Sequence, residues 1–165
     1  MISRDKIPLF FSEHRTALES VRHRAEEARE MIEAVSPIIE CLTSRVCPDC
    51  TSVCCINRHS DFDYSDNIFM SALNKEIPEE DPGVAATDPC RFLGRRGCLR
   101  ERPERPYRCT WFFCSPLLEV IGEQMPLSDH RNFIEMLRKI TELRTEMIRN
   151  FETVFLKPVP AMKNK

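Results

Sequence analysis

The sequence has no long apolar run and almost no net charge, and each absence excludes a class of function. No stretch approaches the ~20 apolar residues that a membrane-spanning helix needs. The segment 1–15 lacks a long apolar stretch and a small-residue cleavage site, so we expect no secretory signal and a cytoplasmic location. The 24 basic and 26 acidic residues give a net charge of −2. Neither nucleic acid nor an anionic membrane is therefore expected as a partner.

Recognisable catalytic motifs are also missing. The sequence contains no Ser/His/Asp set, no phosphate-binding P-loop and no pair of carboxylates in a catalytic arrangement. No catalytic residue is therefore assigned, although a missing motif does not by itself exclude catalysis. The 165 residues are enough for one globular domain, 1–165, with its own hydrophobic core, so the chain does not need disulfides or metals merely to fold.

Cysteine is the residue present in excess. Eight of the nine cysteines lie within 68 residues, and only Cys41 stands apart. An odd number does not suit a disulfide framework, and a cytosolic protein keeps its thiols reduced. The cluster therefore favours metal binding over a disulfide scaffold. Its predicted metal ligands are Cys47, Cys50, Cys54, Cys55, Cys90, Cys98, Cys109 and Cys114. Cys41, beside Leu42 on a predicted helix, is expected to be a small buried apolar residue.

The spacing of these cysteines limits how they share metal. Two residues separate Cys47 from Cys50, which lets both sulfurs turn toward one ion. The adjacent Cys54 and Cys55 project in different directions and reach two metals more naturally than one. Eight thiolates suit two four-coordinate sites or one polynuclear cluster, holding zinc or iron and including a 4Fe–4S cluster. His59 is an alternative ligand if one thiol is excluded.

These motifs together carry a resemblance to a known family. Cys47-Pro-Asp-Cys50 with Cys54-Cys55, Cys90-Arg-Phe-Leu, Cys98 and Arg105-Pro106-Tyr-Arg-Cys109 resemble the YkgJ-like cysteine-cluster family. The resemblance covers about residues 47–116 and implies zinc or iron chelation by the eight cysteines. Three residues precede the cysteine pair here, where the family pattern has two.

The resemblance leaves the role of the metal open. Some multidomain relatives are linked to methylation of flagellin lysines and to an iron–sulfur cluster, but this chain has no additional domain for that activity. Metal binding is therefore expected, and the enzyme is not. A redox or electron-transfer protein and a zinc-stabilised module that binds nucleic acid or protein remain alternatives.

Arginines and aromatic residues accompany the later cysteines. The segment 91–108 holds seven arginines against two glutamates. An anionic thiolate site is stabilised by nearby cations, and Arg105 and Arg108 are the predicted ones. We expect four aromatic side chains to shield the site from water, namely Phe92, Trp111, Phe112 and Phe113.

Two amphipathic helices are predicted on either side of the cysteine-rich module, which spans 47–116. Apolar residues recur every three or four positions over 12–46 and again over 128–156. Ser12 or Thr16 is expected to cap the first helix and Ser128 the second, while Pro37 predicts a kink or break. The fold class is therefore mainly α. The two apolar faces are expected to pack against each other, a second copy or a partner protein.

The module itself is expected to be irregular, with little secondary structure. Short helices are predicted near 65–74, where aspartates act as caps, and after Ser115, where Gly122 ends the helix. The segment 91–99 is the one place where a small hairpin is expected. All four glycines and eight of the twelve prolines lie between residues 48 and 126, in keeping with a turn-rich centre.

Overall fold

A computed structural model describes residues 2–50, 53–79, 81–95 and 97–156. The protein is mainly helical, as the sequence predicts, and two of its helices are long. The α-helices are α1 (Ile7–Glu13), α2 (Glu19–Val46), α3 (Tyr64–Ala72), α4 (Arg108–Trp111), α5 (Ser115–Gln124) and α6 (Leu127–Phe155). Strands β1 (Leu93–Gly94) and β2 (Gly97–Cys98) form the predicted hairpin. Short 3₁₀ turns occupy Arg4–Lys6, Cys47–Asp49, Asn57–His59 and Arg102–Glu104.

The core lies between α2 and α6, whose apolar faces pack against each other. The buried residues of α2 follow the predicted spacing of three and four: Val21, Ala25, Ala28, Ile32, Val35, Ile39 and Leu42. The facing side of α6 buries Phe133, Ile140, Leu143, Met147 and Phe151 in the same way. Removing these side chains from water provides the main stabilisation of the helix pair, because apolar burial contributes roughly 25 cal/mol per Å².

The start of the first long helix differs from the prediction. Instead of one helix from residue 12, the chain forms α1, turns over 14–18 and begins α2 at Glu19. Neither Ser12 nor Thr16 caps α2, because the residue before its first turn is Leu18, which is fully buried and makes no side-chain capping bond. The turn lets α1 fold back, so that Phe11 stacks on Phe151 of α6 at 5.5 Å between ring centroids.

Pro37 does not break α2, which runs without interruption through residue 46. Proline has no N–H to donate to the carbonyl four residues earlier, so a break was the local expectation. Val35 and Ile39 on either side of it are buried against the core. Their burial holds the helix together across the missing hydrogen bond.

Other helix ends also differ by small amounts. Helix α6 begins at Leu127 with Pro126 as the preceding residue, so Ser128 lies in the first turn and is not the cap. Gly122 lies inside α5 and does not end it. The predicted stop of the last helix at Pro158 lies outside the described residues. The aspartate caps of α3 are confirmed, because Asp63 and Asp66 form a reciprocal capping box.

A buried ion pair connects α3, α6 and the segment before α4. Arg144 of α6 is 3% exposed and donates from Nη2 to Asp66 Oδ1 at 2.6 Å. The backbone N–H of Tyr107 donates to the same carboxylate oxygen at 3.0 Å. The guanidinium lies between the rings of Phe69 and Tyr107, 4.6 and 4.4 Å from their centroids. This network fixes the chain immediately before Cys109 on the helical scaffold.

In the described part of the chain, no helix is long and apolar enough to cross a membrane.

Candidate metal centre

The first cysteines follow directly from the end of α2. Cys47 is the residue after the last helical position, and it opens the 3₁₀ turn Cys47–Asp49. The N–H of Cys50 donates to the carbonyl oxygen of Cys47 at 3.3 Å. This tight turn keeps the two cysteines of the predicted pair close together beside the helix end.

A second contact joins the Cys54–Cys55 region to the chain around residue 90. The N–H of Cys90 donates to the carbonyl oxygen of Cys55 at 2.8 Å, and Ile56 forms an antiparallel bridge with Pro89. The hairpin then returns the chain, because Cys98 pairs with Leu93. Cys55, Cys90 and Cys98 therefore lie on neighbouring backbone segments.

Arg102 fixes the segment that carries Cys109. Its side chain is 3% exposed, and its guanidinium donates from Nη1 to the carbonyl oxygen of Cys109 at 2.8 Å. It also donates to two side chains of α2, Glu40 at 2.5 Å and Ser36 at 3.2 Å. Arg105 reaches the same Glu40 carboxylate at 3.0 Å. One carboxylate of α2 thus holds two arginines of the cysteine-rich module.

Cys114 is positioned by helix α5. It is the residue that precedes α5, and its side chain packs against the edge of the core. Helix α5 packs against α2 through its buried Leu117 and Ile121. The Cys114 side chain also raises the pKa of the Cys54 thiol, which places the two side chains near each other. The cysteine at the start of α5 is therefore adjacent to one from the first motif.

The thiols of the first cysteines lie close enough together for the charge of each one to change the pKa of its neighbours. Desolvation raises the pKa of the Cys47 thiol, and the thiolates of Cys54, Cys114 and Cys50 raise it further. The pKa of Cys54 is raised by desolvation and then by Cys114. Negative charges that lie close together disfavour one another, which is why each thiol makes its neighbours harder to ionise.

The remaining thiols are coupled both to one another and to the first cysteines, since, besides desolvation, the charges of Cys54, Cys109, Cys47 and Cys90 all raise the pKa of Cys55. Although Cys55 and Cys109 keep exposed surface, desolvation raises the pKa of Cys55 to about 12 and that of Cys109 to about 11. Cys98 and Cys90 raise the pKa of Cys109 further, whereas the positive charges of Arg105 and Arg102 lower it. The pKa of Cys90 is likewise raised by desolvation and by Cys98, and lowered by Arg91. Arginines therefore lie near Cys109 and Cys90.

The donor chemistry fits a metal, although the thiols are not assembled around one point. Within the ranges that the structure describes, no three His, Cys, Asp or Glu side chains are arranged to hold a metal ion. All nine cysteines are thiols and not disulfides. Thiolate donors suit zinc and iron–sulfur centres. A metal bound here would have to draw neighbouring sulfurs together.

Several residues predicted from the sequence occupy other positions. Cys41 is exposed on α2, so the prediction that it is buried packing is wrong. Trp111 is 46% exposed and does not shield the thiols fully. Arg108 lies over the Phe112 ring at 4.3 Å from its centroid. The pKa of His59 is lowered by desolvation and by the charges of Arg108 and Arg58.

Arg102 is the residue of this region that the sequence did not single out. It is one of seven arginines in the segment 91–108, and nothing in the local pattern separates it from Arg100 or Arg105. Its burial is decided by Ser36 and Glu40, which lie more than sixty positions earlier in the chain. A single sequence contains no signal for such a pairing.

Comparison with known proteins gives no relative for this chain. No protein-family model matches the sequence, and no curated protein and no solved structure matches it significantly.

Proposed function

We propose that this chain is a cytosolic metal-binding protein that holds zinc or iron through its eight clustered cysteines. The ligands of the proposal are Cys47, Cys50, Cys54, Cys55, Cys90, Cys98, Cys109 and Cys114. The bound metal would hold together the irregular segment between α2 and α5. The proposal includes an iron–sulfur cluster as one form of the iron centre, and it assigns no catalysis.

The observation that carries the proposal is the proximity of cysteine-bearing segments that are far apart in sequence. Cys55 and Cys90 are joined by a backbone hydrogen bond, and the Cys114 side chain lies near enough to Cys54 to raise the pKa of its thiol. Arg102 ties the Cys109 segment to α2, the helix that ends at Cys47. Eight reduced thiols clustered within 68 residues of the chain suit a soft metal.

The surrounding charges support thiolate ligands. Four thiolates on one Zn²⁺ carry a net negative charge, which nearby cations stabilise. Arg102 and Arg105 supply such cations beside Cys109, and Arg91 does so beside Cys90. Because desolvation disfavours an isolated thiolate in this region, ionisation of these cysteines is most favourable when a metal takes the charge.

Anaerobic purification followed by metal analysis and a visible absorption spectrum tests the proposal. Stoichiometric zinc in a colourless protein supports a structural or interaction module, whereas iron with equivalent sulfide and a broad visible band supports an iron–sulfur protein. A Cys41→Ser variant is the matched control, since Cys41 lies on α2 outside the cluster. It should retain all the metal that the unaltered chain binds, while Cys47→Ser should lose some.

A second experiment tests the structural role of the metal. Removal by a chelator should lower the thermal midpoint and should unfold the segment 47–114, while α2 and α6 keep most of their helix because their pairing is apolar. Hydrogen exchange resolves the two regions. Protein that contains no zinc or iron after anaerobic purification, and takes up neither when supplied, would overturn the proposal.

A further inference from the structure

We infer that the cleft between α1, the start of α2 and the end of α3 binds a small zwitterion of the amino-acid class. The carboxylate of the ligand pairs with Arg15 and Arg22, and its ammonium group pairs with Glu19 and Glu76. None of the residues that line the cleft is a cysteine. The inference therefore goes beyond the proposed metal centre and does not depend on it.

The cleft is formed where the chain turns between α1 and α2. The turn over 14–18 lets α1 fold back, and a space of about 770 Å³ lies between α1, the first turn of α2 and the segment that follows α3. A cleft of this size is in the range that binding sites for small molecules occupy. Side chains from three helices and two connecting segments therefore meet around one concavity.

The end of α3 forms a fixed wall of the cleft. Asn74 has a φ of 58°, in the left-handed region, and the N–H groups of Asn74 and Lys75 donate back to helix carbonyl oxygens at 3.1 and 2.9 Å. This pair of bonds is the Schellman motif, which satisfies carbonyl groups at a helix end. The carbonyl oxygen of Ala72, the last residue of α3, accepts from Arg22 Nη1 at 2.9 Å. The wall is therefore in place before a ligand arrives.

Arg22 provides a cation in the cleft. It is half-buried, and its guanidinium lies over the Phe11 ring at 5.2 Å from the centroid. It donates to the carbonyl oxygens of Ala72 and Phe11, at 2.9 and 3.5 Å, and no carboxylate within the described ranges pairs with it. Carbonyl oxygens hold the guanidinium in position without neutralising its charge. A planar carboxylate is the group that complements its remaining N–H donors.

Three further charged side chains line the cleft, and none has an ion-pair partner in the part of the chain that the structure describes. They are Arg15, Glu19 and Glu76, and all three are exposed. Elsewhere on α2 neighbouring charges pair with each other, as Arg29 does with Glu26 at 2.7 Å. Opposite charges that line one cleft without pairing with each other are both available to a ligand that carries both signs.

The mixture of charges favours a zwitterion over an ion of one sign. A simple anion is repelled by the two glutamates and a simple cation by the two arginines, because like charges repel one another. Lys75 also lines the cleft, but its ammonium group pairs with Glu104 at 2.8 Å. An amino acid places a carboxylate and an ammonium group on the same carbon, so it offers a partner to each set. Pro8 and Phe11 add apolar surface on the α1 side, which favours an apolar side chain on the ligand.

Isothermal titration calorimetry of the full chain with L-leucine tests the inference. Two analogues of nearly the same size serve as comparisons: L-leucinamide lacks the carboxylate, and 4-methylpentanoate lacks the ammonium group. We expect L-leucine to bind at millimolar concentrations or below, and each analogue to bind about tenfold more weakly, since a hydrogen bond to a charged group is lost. L-alanine, which lacks most of the apolar side chain, should also bind less tightly than L-leucine.

Substitutions in the cleft assign the two sets of charges. Arg15→Gln and Glu76→Gln should each weaken L-leucine binding about threefold, as the loss of an exposed ion pair predicts. Both side chains are exposed, so neither variant should unfold the protein, and thermal unfolding verifies this. Glu30→Gln is the matched control, because Glu30 is exposed on α2 outside the cleft. It should bind L-leucine as the unaltered chain does.

Three results would overturn the inference. The first is no binding of L-leucine at millimolar concentrations. The second is equal binding of L-leucine and its two analogues, which would show that the charges of the ligand are not recognised. The third is unchanged binding in both cleft variants, which would place the bound amino acid elsewhere on the molecule.

Discussion

Arg102 and Glu40 form an ion pair at 2.5 Å between the cysteine-rich module and the middle of α2. The arginine is almost fully enclosed, whereas half of the glutamate side chain is exposed. The same guanidinium donates to the carbonyl oxygen of Cys109. Arg102 thus fixes the position of a proposed ligand by binding its backbone carbonyl oxygen.

Replacing Arg102 by Met should destabilise the protein by about 2–3 kcal/mol, because the Cys109 carbonyl oxygen and the Ser36 hydroxyl lose their donor. Urea unfolding of the metal-free chain measures this change. Glu40→Gln is the matched control: its side chain is half exposed, and Arg102 keeps its other two partners. The control should therefore cost clearly less. Equal losses in the two variants would show that the ion pair, and not the carbonyl contact, carries the effect.

The buried pair Asp66–Arg144 should be more sensitive to substitution than the pair Arg102–Glu40. Asp66→Asn or Arg144→Met leaves one charged group enclosed without its partner, which typically costs about 3–5 kcal/mol. The double substitution should recover part of this loss, since no unpaired charge remains. Glu33→Gln, which alters an exposed pair with Arg29 on α2, should change the unfolding midpoint little. Additive single losses in the double variant would argue against direct coupling of the buried pair.

The raised thiol pKa values predict how the stability of the metal-free protein depends on pH. In the folded chain the pKa of Cys55 is about 12 and that of Cys109 about 11, above the ordinary thiol value of about 8.5. The folded protein therefore keeps protons that the unfolded chain releases. Stability is complete below the ordinary value and falls as the pH rises through the interval up to the folded values. Urea unfolding at a series of pH values measures this slope.

The double variant Cys55→Ser, Cys109→Ser is the control for that slope. It should unfold with a weaker dependence on pH above ~8.5, because two of the groups responsible are gone. Alkylation gives an independent measurement, since the thiolate is the reactive form. Both cysteines should react more slowly in the folded chain than in urea at the same pH. Equal rates in the two states would contradict the raised pKa values.

Replacing Pro37 should stabilise the protein, unlike the substitutions of the buried ion pairs. It is exposed in the interior of α2, where proline lacks one helical hydrogen bond. Pro37→Ala restores the donor and should stabilise the protein by about 2 kcal/mol, which is the ~3 kcal/mol helix preference less the ~1 kcal/mol by which proline restricts the unfolded chain. Thermal unfolding checks the direction, with Ala34→Gly on the same exposed side as a destabilising reference. A lower midpoint for Pro37→Ala would mean that the proline shape is required.

The long helices were predictable because their packing signal is repeated. From Val21 to Leu42 every member of the apolar series that the sequence indicates is buried, as repetition at the helical period requires. The break at Pro37 was not predictable, since local propensity was outweighed by the burial of Val35 and Ile39. The prediction that Cys41 is buried was wrong for a similar reason: a lone cysteine is usually buried, but Cys41 lies on the exposed side of α2.

The candidate site was predictable in its residue types and not in its arrangement. Clustering identified the eight cysteines, but which thiols are neighbours depends on the packing of α5 against α2 and on the bond between Cys90 and Cys55. Of the two arginines predicted beside the thiols, Arg105 acts on Cys109, while Arg108 lies over aromatic rings. These relationships join residues far apart in the chain, where spacing carries no information.

The contrast between those two arginines supplies a direct test of charge beside Cys109. Arg105→Gln removes a cation that acts on Cys109, so the affinity of the protein for Zn²⁺ should fall by about tenfold, within the range seen when groups around metal ligands are altered. Arg108→Gln is the matched control of identical chemistry and should leave the affinity nearly unchanged. Competition with a chromophoric chelator measures both. Because the effect is electrostatic, Arg105→Lys should restore most of the affinity, whereas a role in shape alone would leave the lysine variant as weak as the glutamine one.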